Sequence, residues 1–332
     1  MRVTVFSARP YDRHFLEAAN GGRHELRYIE ATLGADTAAL ASNCDAVCAF
    51  VNDDLSAATL QELAVRGVRG VALRSAGFNN ADVAAASAAG ILLARVPAYS
   101  PHAVAEHTVA LMLTLNRQTH RAWNRVREGN FSIDGLLGFD MAGKTAAIIG
   151  TGKVGEAVAR ILSGFGCRLL AVDMHPRASV TRLGARYVSL DEALPEADIV
   201  TLHCPLTPNT RHLIDSHAID RMRLGAMLIN TSRGAVVDTA ALVRGIKDGR
   251  LGYVGMDVYE EEDALFFEDR SATVLQDDVL ARLMTFHNVL ITAHQGFFTR
   301  EAMQHIAETT LDNLDGIEQG VLPAANALVP QP

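Results

Sequence analysis

Three glycines in the run Gly150-Thr151-Gly152-Lys153-Val154-Gly155 have the GxGxxG spacing that lets a backbone turn close around a pyrophosphate. Gly150 permits the tight turn, Gly152 lets backbone approach the phosphates, and Gly155 lets the next helix pack close to the preceding strand. Lys153 and Val154 open that helix, whose first amide groups point at an anion. The spacing is weak by itself, but here the apolar run 146–149 precedes it and a helical pattern over 156–165 follows. Asp173 ends the next apolar strand, 23 residues after Gly150. A carboxylate there accepts hydrogen bonds from the adenine ribose hydroxyls and repels a 2′-phosphate, so NAD(H) is the expected cofactor. Arg177 lies near enough to leave some use of the phosphorylated cofactor open.

Hydride chemistry on a 2-keto acid needs a cation for the carboxylate, a proton donor for the forming alkoxide, and a group that orients the donor. Arg233 follows a buried strand in Asn230-Thr231-Ser232-Arg233-Gly234, and its planar fork suits a carboxylate. His294 follows another strand in Thr292-Ala293-His294-Gln295-Gly296 and suits proton transfer near neutral pH. Each has an ordinary reading too, a solvated helix-start arginine and a hinge histidine. Glu262 falls in the acidic run 257–263, which alone reads as a solvated face; paired with His294, it would fix the ring's tautomer and support its charged form. Asp257, at the strand end, is placed either behind the site or on the nicotinamide side.

These residues need strand ends to carry them, and the chain supplies the rhythm. Short apolar runs at 3–6, 46–51, 70–74 and 91–96 alternate with helical patterns at 11–20 and 56–66, and no phosphate-binding loop follows them. Ser100-Pro101 is a strong helix start, and the helix is expected to run toward Trp123. After a less regular stretch at 128–141 the rhythm resumes, with strands at 146–149, 168–172, 199–202, 226–230, 252–257 and 289–292 and a final amphipathic helix over 300–320. This is an α/β chain with two successive parallel-sheet units. Their boundary falls near residue 100, and only the second unit carries a nucleotide signature.

The totals agree with a globular protein of this kind. The 332 residues are 49% hydrophobic and 20% charged, which suits two domains. A net charge of −8 argues against nucleic acid or an anionic membrane as partner. The apolar stretch 109–115 is too short to span a bilayer, and the N-terminus opens into a strand with no signal-peptide layout. Four cysteines fit no metal pattern and read as free thiols, so no metal is expected and a cytoplasmic location is.

Taken together, the glycine fingerprint, Thr231-Ser232-Arg233-Gly234, Gly255-Met256-Asp257-Val258-Tyr259-Glu260 and Ala293-His294-Gln295 resemble the D-isomer-specific 2-hydroxyacid dehydrogenases. The resemblance extends through residues 74–80, 95–101 and 265–269, nearly the whole chain. It implies two Rossmann-like or flavodoxin-like domains with the active site in the interdomain cleft. Residues 1–100 plus 297–332 would form the substrate domain and 101–296 the NAD-binding domain. It implies that Arg233 binds the substrate carboxylate, that His294 protonates the alkoxide and that Glu262 pairs with the histidine. Ala76 and Gly77 would add backbone amides, Tyr99 and Phe298 would line the substrate, and Cys204, Pro205, Thr231 and Asp257 would join the cofactor site. A homodimer or a dimer of dimers is expected. Tyr99, Phe297 and Phe298 favour a small substrate, pyruvate going to D-lactate, over phenylpyruvate, a branched 2-keto acid, glyoxylate or hydroxypyruvate. A more distant alternative is an NAD-sensing corepressor-like binding protein. Gly296 departs from the family pattern, where alanine is commoner, and is expected to loosen the hinge beside His294.

Overall fold

In a computed structural model, the apolar runs form two parallel sheets. The structure describes residues 1–262, 265–267 and 269–329, so Asp263 of the acidic run and Glu268 of the 265–269 motif lie outside the described residues. The chain divides into two compact units, Met1–Ser100 with Phe297–Pro332 and Pro101–Gly296.

In the first unit, β1 (Arg2–Val5), β2 (Glu25–Tyr28), β3 (Ala46–Ala49), β4 (Gly70–Leu73) and β5 (Leu92–Ala94) pair in the order β2-β1-β3-β4-β5. The last helix, Arg300–Gln319, belongs to this unit: Ala307, Leu311, Leu314 and Ile317 pack with Val3, Val5, Ala46 and Ala72 of the sheet. Thr299 caps its start, accepting from the Ala302 amide at 3.2 Å.

In the second unit, β6 (Thr145–Ile149), β7 (Arg168–Val172), β8 (Arg186–Tyr187), β9 (Ile199–Leu202), β10 (Ala226–Asn230), β11 (Leu251–Met256) and β12 (Val289–Ile291) pair in the order β12-β11-β10-β9-β6-β7-β8. Helices cover both faces, so β6, β9 and β10 are buried throughout. Alternate residues then enter separate cores: Ala147, Ile149, Val200 and Leu202 on one side, Ala146, Ile148 and Ile199 on the other. The strand order reverses between β6 and β9, where such sheets open a crevice for ligands at the carboxyl ends of their strands. The glycine turn follows β6, and Cys204 and Pro205 follow β9.

One helix differs from expectation. It starts at Pro101 but stops at Arg117, and Gln118 (φ +47°) turns the chain into a second helix, Thr119–Arg127. Asn116 explains the stop, because its amide group both donates to the Phe139 carbonyl and accepts from the Phe139 amide, each at 2.8 Å. The irregular stretch is thereby tied to the end of the first helix.

Candidate active site

The three glycines of the turn have three different physical reasons. Gly150 has φ +92°, and a Cβ there would lie 2.7 Å from the backbone nitrogen of Cys204. A Cβ at Gly155 would overlap the Gly150 carbonyl oxygen, so this glycine lets helix Lys153–Gly164 sit against the turn. Gly152 has an extended backbone (φ −61°) that any residue adopts, and a Cβ on it would meet nothing within 4 Å. Neither conformation nor packing requires glycine there. Open space in front of a helix N-terminus is the feature that a dinucleotide pyrophosphate would use, so the cradle fits the cofactor.

Asp173 stands at the end of β7 and is tied into the same turn. Its Oδ2 accepts from the Thr151 amide at 2.6 Å and the Thr151 hydroxyl at 3.1 Å, and its Oδ1 accepts from the His175 amide at 2.8 Å. Burial pushes its pKa up, but the hydrogen bonds from His175 and Thr151 outweigh this and hold it below the ordinary carboxylate range. Arg177, the residue that left the phosphorylated cofactor open, pairs with Glu156 at 3.0 Å. Cys204 is buried, and burial pushes its thiol up to about 11.

Beyond β11 and β12 the structure brings Glu262 and His294 together, Oε1 to Nδ1 at 2.8 Å. The carboxylate is itself held, because Oε2 accepts from the Tyr259 amide at 2.8 Å. Phe267 packs beside the imidazole, ring centroids 5.8 Å apart. His294 has a left-handed backbone (φ +51°), which costs a non-glycine residue about 1–2 kcal/mol. It is kept there by a bond from its own amide to the Asp257 carbonyl at 2.7 Å.

The Asp257 side chain grips the two residues that follow. Its Oδ1 accepts from the Gln295 amide at 2.9 Å and its Oδ2 from the Gly296 amide at 2.8 Å. Oδ1 also takes the Thr292 hydroxyl at 2.6 Å and lies 3.2 Å from His107 Nε2. Burial raises the pKa of this acid, yet the bonds from His107 and Thr292 prevail and lower it. The close grip gives Gly296 a reason that the sequence concealed: a Cβ there would stand 2.8 Å from Asp257 Oδ2. The glycine admits the carboxylate.

Arg233 follows β10 on the loop before a short 3₁₀ turn, Gly234–Val236. Asn230 shapes that loop, its side chain donating to the Arg233 carbonyl at 2.9 Å and accepting from the Ser232 amide at 3.0 Å. Gly234 is required because a Cβ there would overlap the Tyr259 backbone. One guanidinium nitrogen donates to the Ser232 carbonyl at 2.6 Å, and among the described residues Arg233 makes no ion pair. The Thr231 hydroxyl is committed at 2.8 Å to Thr108, whose own proton goes to the Val104 carbonyl at 2.7 Å.

Ala76, Gly77, Tyr99 and Phe298 lie in the first unit. Arg95 donates to the Ala76 carbonyl at 2.9 Å and the Ser75 hydroxyl to the Gly77 carbonyl at 2.7 Å, which fixes the loop after β4. Tyr99 meets Phe297 edge-on (6.1 Å), and Phe298 meets Tyr11 the same way (4.8 Å). Phe298 is half exposed, whereas Phe297 is buried. The sequence reading missed His107, the Tyr259 amide and Phe267. A histidine inside an amphipathic helix and a backbone donor carry no sequence signal; Phe267 lay in a matched motif but had no assigned partner.

Residues 109–296 match the pattern of the D-isomer specific 2-hydroxyacid dehydrogenase NAD binding domain. The chain is 50% identical over 321 residues to the D-lactate dehydrogenase of Escherichia coli (strain K12), spanning 96% of this chain and 98% of that one. The solved apo-structure of D-lactate dehydrogenase from Escherichia coli superposes with a TM-score of 0.90 at 47% identity, over 98% of this chain and 99% of that one. The D-lactate dehydrogenase of Aquifex aeolicus, solved with NAD and lactic acid, gives 0.88 at 32% identity over 99% of both. A matched NAD-binding domain, with relatives that run the full length, decides the question of family: this chain belongs to the D-isomer specific 2-hydroxyacid dehydrogenases.

Proposed function

We propose that this chain catalyses the reversible NADH-dependent reduction of pyruvate to D-lactate. The observation that carries the reading is the Glu262–His294 pair at 2.8 Å, in a unit that also carries Arg233 and a glycine turn fitted to a dinucleotide. Gly150, Gly152, Lys153, Val154 and Gly155 would hold the pyrophosphate and Asp173 the adenine ribose, with Cys204, Pro205, Thr231 and Asp257 along the rest of the cofactor. Bound NADH supplies the hydride for the keto carbon.

The residues do the rest. The Arg233 guanidinium takes the substrate carboxylate in a fork and draws electron density from the neighbouring keto oxygen. The Ala76 and Gly77 amides add donors to the same carboxylate. The Glu262 carboxylate accepts from Nδ1–H of His294, which makes Nε2 the nitrogen that hands a proton to the oxygen as charge develops there. In the reverse direction Nε2 takes that proton back. Tyr99 and Phe298, with Phe297 behind them, form an aromatic wall that suits a methyl group at C3.

A panel of pyruvate, phenylpyruvate, a branched 2-keto acid, glyoxylate and hydroxypyruvate, each with NADH and NADPH and chiral analysis of the product, tests this. The expected result is D-lactate from pyruvate and a kcat/KM for pyruvate at least about tenfold above that for phenylpyruvate. A tenfold preference the other way refutes the lactate assignment and leaves the reaction class.

We further propose a homodimer in the cytoplasm. Trp123, Phe131, Ile133 and Leu137 of the second unit are all exposed, and large apolar side chains left bare close together in the chain suit a subunit contact. The four cysteines are free, as in a reducing compartment. No helix among the described residues is long and apolar enough to cross a membrane. Sedimentation equilibrium distinguishes the dimer from a dimer of dimers and from a monomer, and a monomer refutes the assignment.

A further inference from the structure

His107 lies in the helix Pro101–Arg117, far in sequence from Arg233, Glu262 and His294, and its ring touches the acid that holds the His294 loop. Proton accounting fixes its state at one atom. The Thr292 hydroxyl has a single proton, and at 2.6 Å that proton goes to Asp257 Oδ1. The hydroxyl oxygen therefore faces His107 Nε2, 3.0 Å away, as an acceptor. His107 must carry a proton on Nε2, and it shares that proton between Thr292 Oγ1 and Asp257 Oδ1.

Asp257 thus receives two side-chain donors, from His107 and Thr292, and two backbone donors, from Gln295 and Gly296. With one donor removed, the carboxylate can turn, and the amides it grips are those directly after His294. A Cβ at Gly296 would come to 3.4 Å from His107 Cδ2, so the imidazole lies beside the same loop that Asp257 grips.

We propose that His107 is a positioning residue for the reaction: through Thr292 and Asp257 it holds His294 in its left-handed conformation and in register with Glu262. The inference rests on His294 being the proton donor. The His107 Nε2–H is what matters, not the ring, so glutamine, which places an Nε2 donor at the same reach, should replace it, and leucine should not.

The experiment compares His107→Leu and His107→Gln for kcat, KM for pyruvate and NADH affinity by nicotinamide fluorescence. Expected for leucine is a kcat about tenfold or more below wild type, a larger fall than that in NADH affinity; glutamine should recover kcat to within about threefold. A leucine variant with unchanged kcat, or a glutamine variant no better than leucine, overturns the proposal. Thr292→Val, which keeps the side chain's shape and removes the bridging hydroxyl, serves if leucine does not fold. It should lower kcat by about threefold or more, and an unchanged kcat counts against the proposal. His294→Asn is the control for the underlying reading. If it keeps turnover, the proton-donor assignment has failed, whatever His107 does.

Discussion

Alanine at Gly152 and at Gly155 should separate cofactor binding from folding. At Gly152 the backbone is already in a region that alanine adopts, and a Cβ would meet nothing within 4 Å. Folding should therefore be unharmed, or improved by about 0.4–1 kcal/mol through the stiffer unfolded chain. At Gly155 the added carbon would overlap the Gly150 carbonyl oxygen and lie 3.0 Å from its carbon, so the atoms in the way are backbone and not the far end of a flexible side chain. Overpacking of this kind costs about 1–3 kcal/mol. For a unit of this size that lowers the melting temperature by about 2–12 °C. NADH affinity should fall for both variants, since the Gly152 methyl would occupy the space proposed for the pyrophosphate. Differential scanning calorimetry without cofactor and fluorescence titration with NADH give the two numbers. A Gly152→Ala protein that binds NADH as tightly as wild type would show that the pyrophosphate does not approach there. Equal melting losses in both variants would show that the packing argument is wrong.

Three further outcomes follow from the same geometry. Asp173→Asn removes the charge proposed to face the adenine ribose, and the NADH to NADPH ratio of kcat/KM should fall about tenfold or more; an unchanged ratio would mean that Arg177 or the loop sets the choice. Cys204, its thiol pushed up to about 11 by burial, should resist iodoacetamide at pH 8 in the folded protein and react on unfolding, as read by mass spectrometry. The folded-state pKa of Asp257 lies below its unfolded value of about 3.9, so its contribution to stability is complete above that pH and is lost as pH falls through the folded value. Asp257→Asn should therefore cost about 1.5–3 kcal/mol in urea unfolding at pH 6, and the gap to wild type should narrow below about pH 4; a gap that does not change with pH refutes the assignment.

The sequence made the second sheet and its glycine turn legible because both are written in residue type. Buried parallel strands such as Ala226–Asn230 are continuous apolar runs, and the turn after Thr145–Ile149 needs glycine at fixed spacing. Strands Glu25–Tyr28 and Arg186–Tyr187 escaped notice, the first because it is half exposed and charged at an edge, the second because it is two residues long. The break at Gln118 was hidden because its cause, Asn116 bound to the Phe139 backbone, is a tertiary contact. Gly296 shows the same limit at the site. A glycine next to a histidine reads as a loose hinge, whereas its neighbour in space is the Asp257 carboxylate. Contacts of that kind join residues from separate strand ends, and no local pattern announces them.

His294→Asn removes the proposed proton donor itself, with pyruvate turnover and NADH affinity measured on the same preparation. With His294 as the proton donor, kcat should fall on the order of 10²–10⁴-fold while NADH binding stays within about twofold of wild type. Turnover near the wild-type rate, or loss of NADH binding in step with activity, would contradict it and return His294 to a structural role.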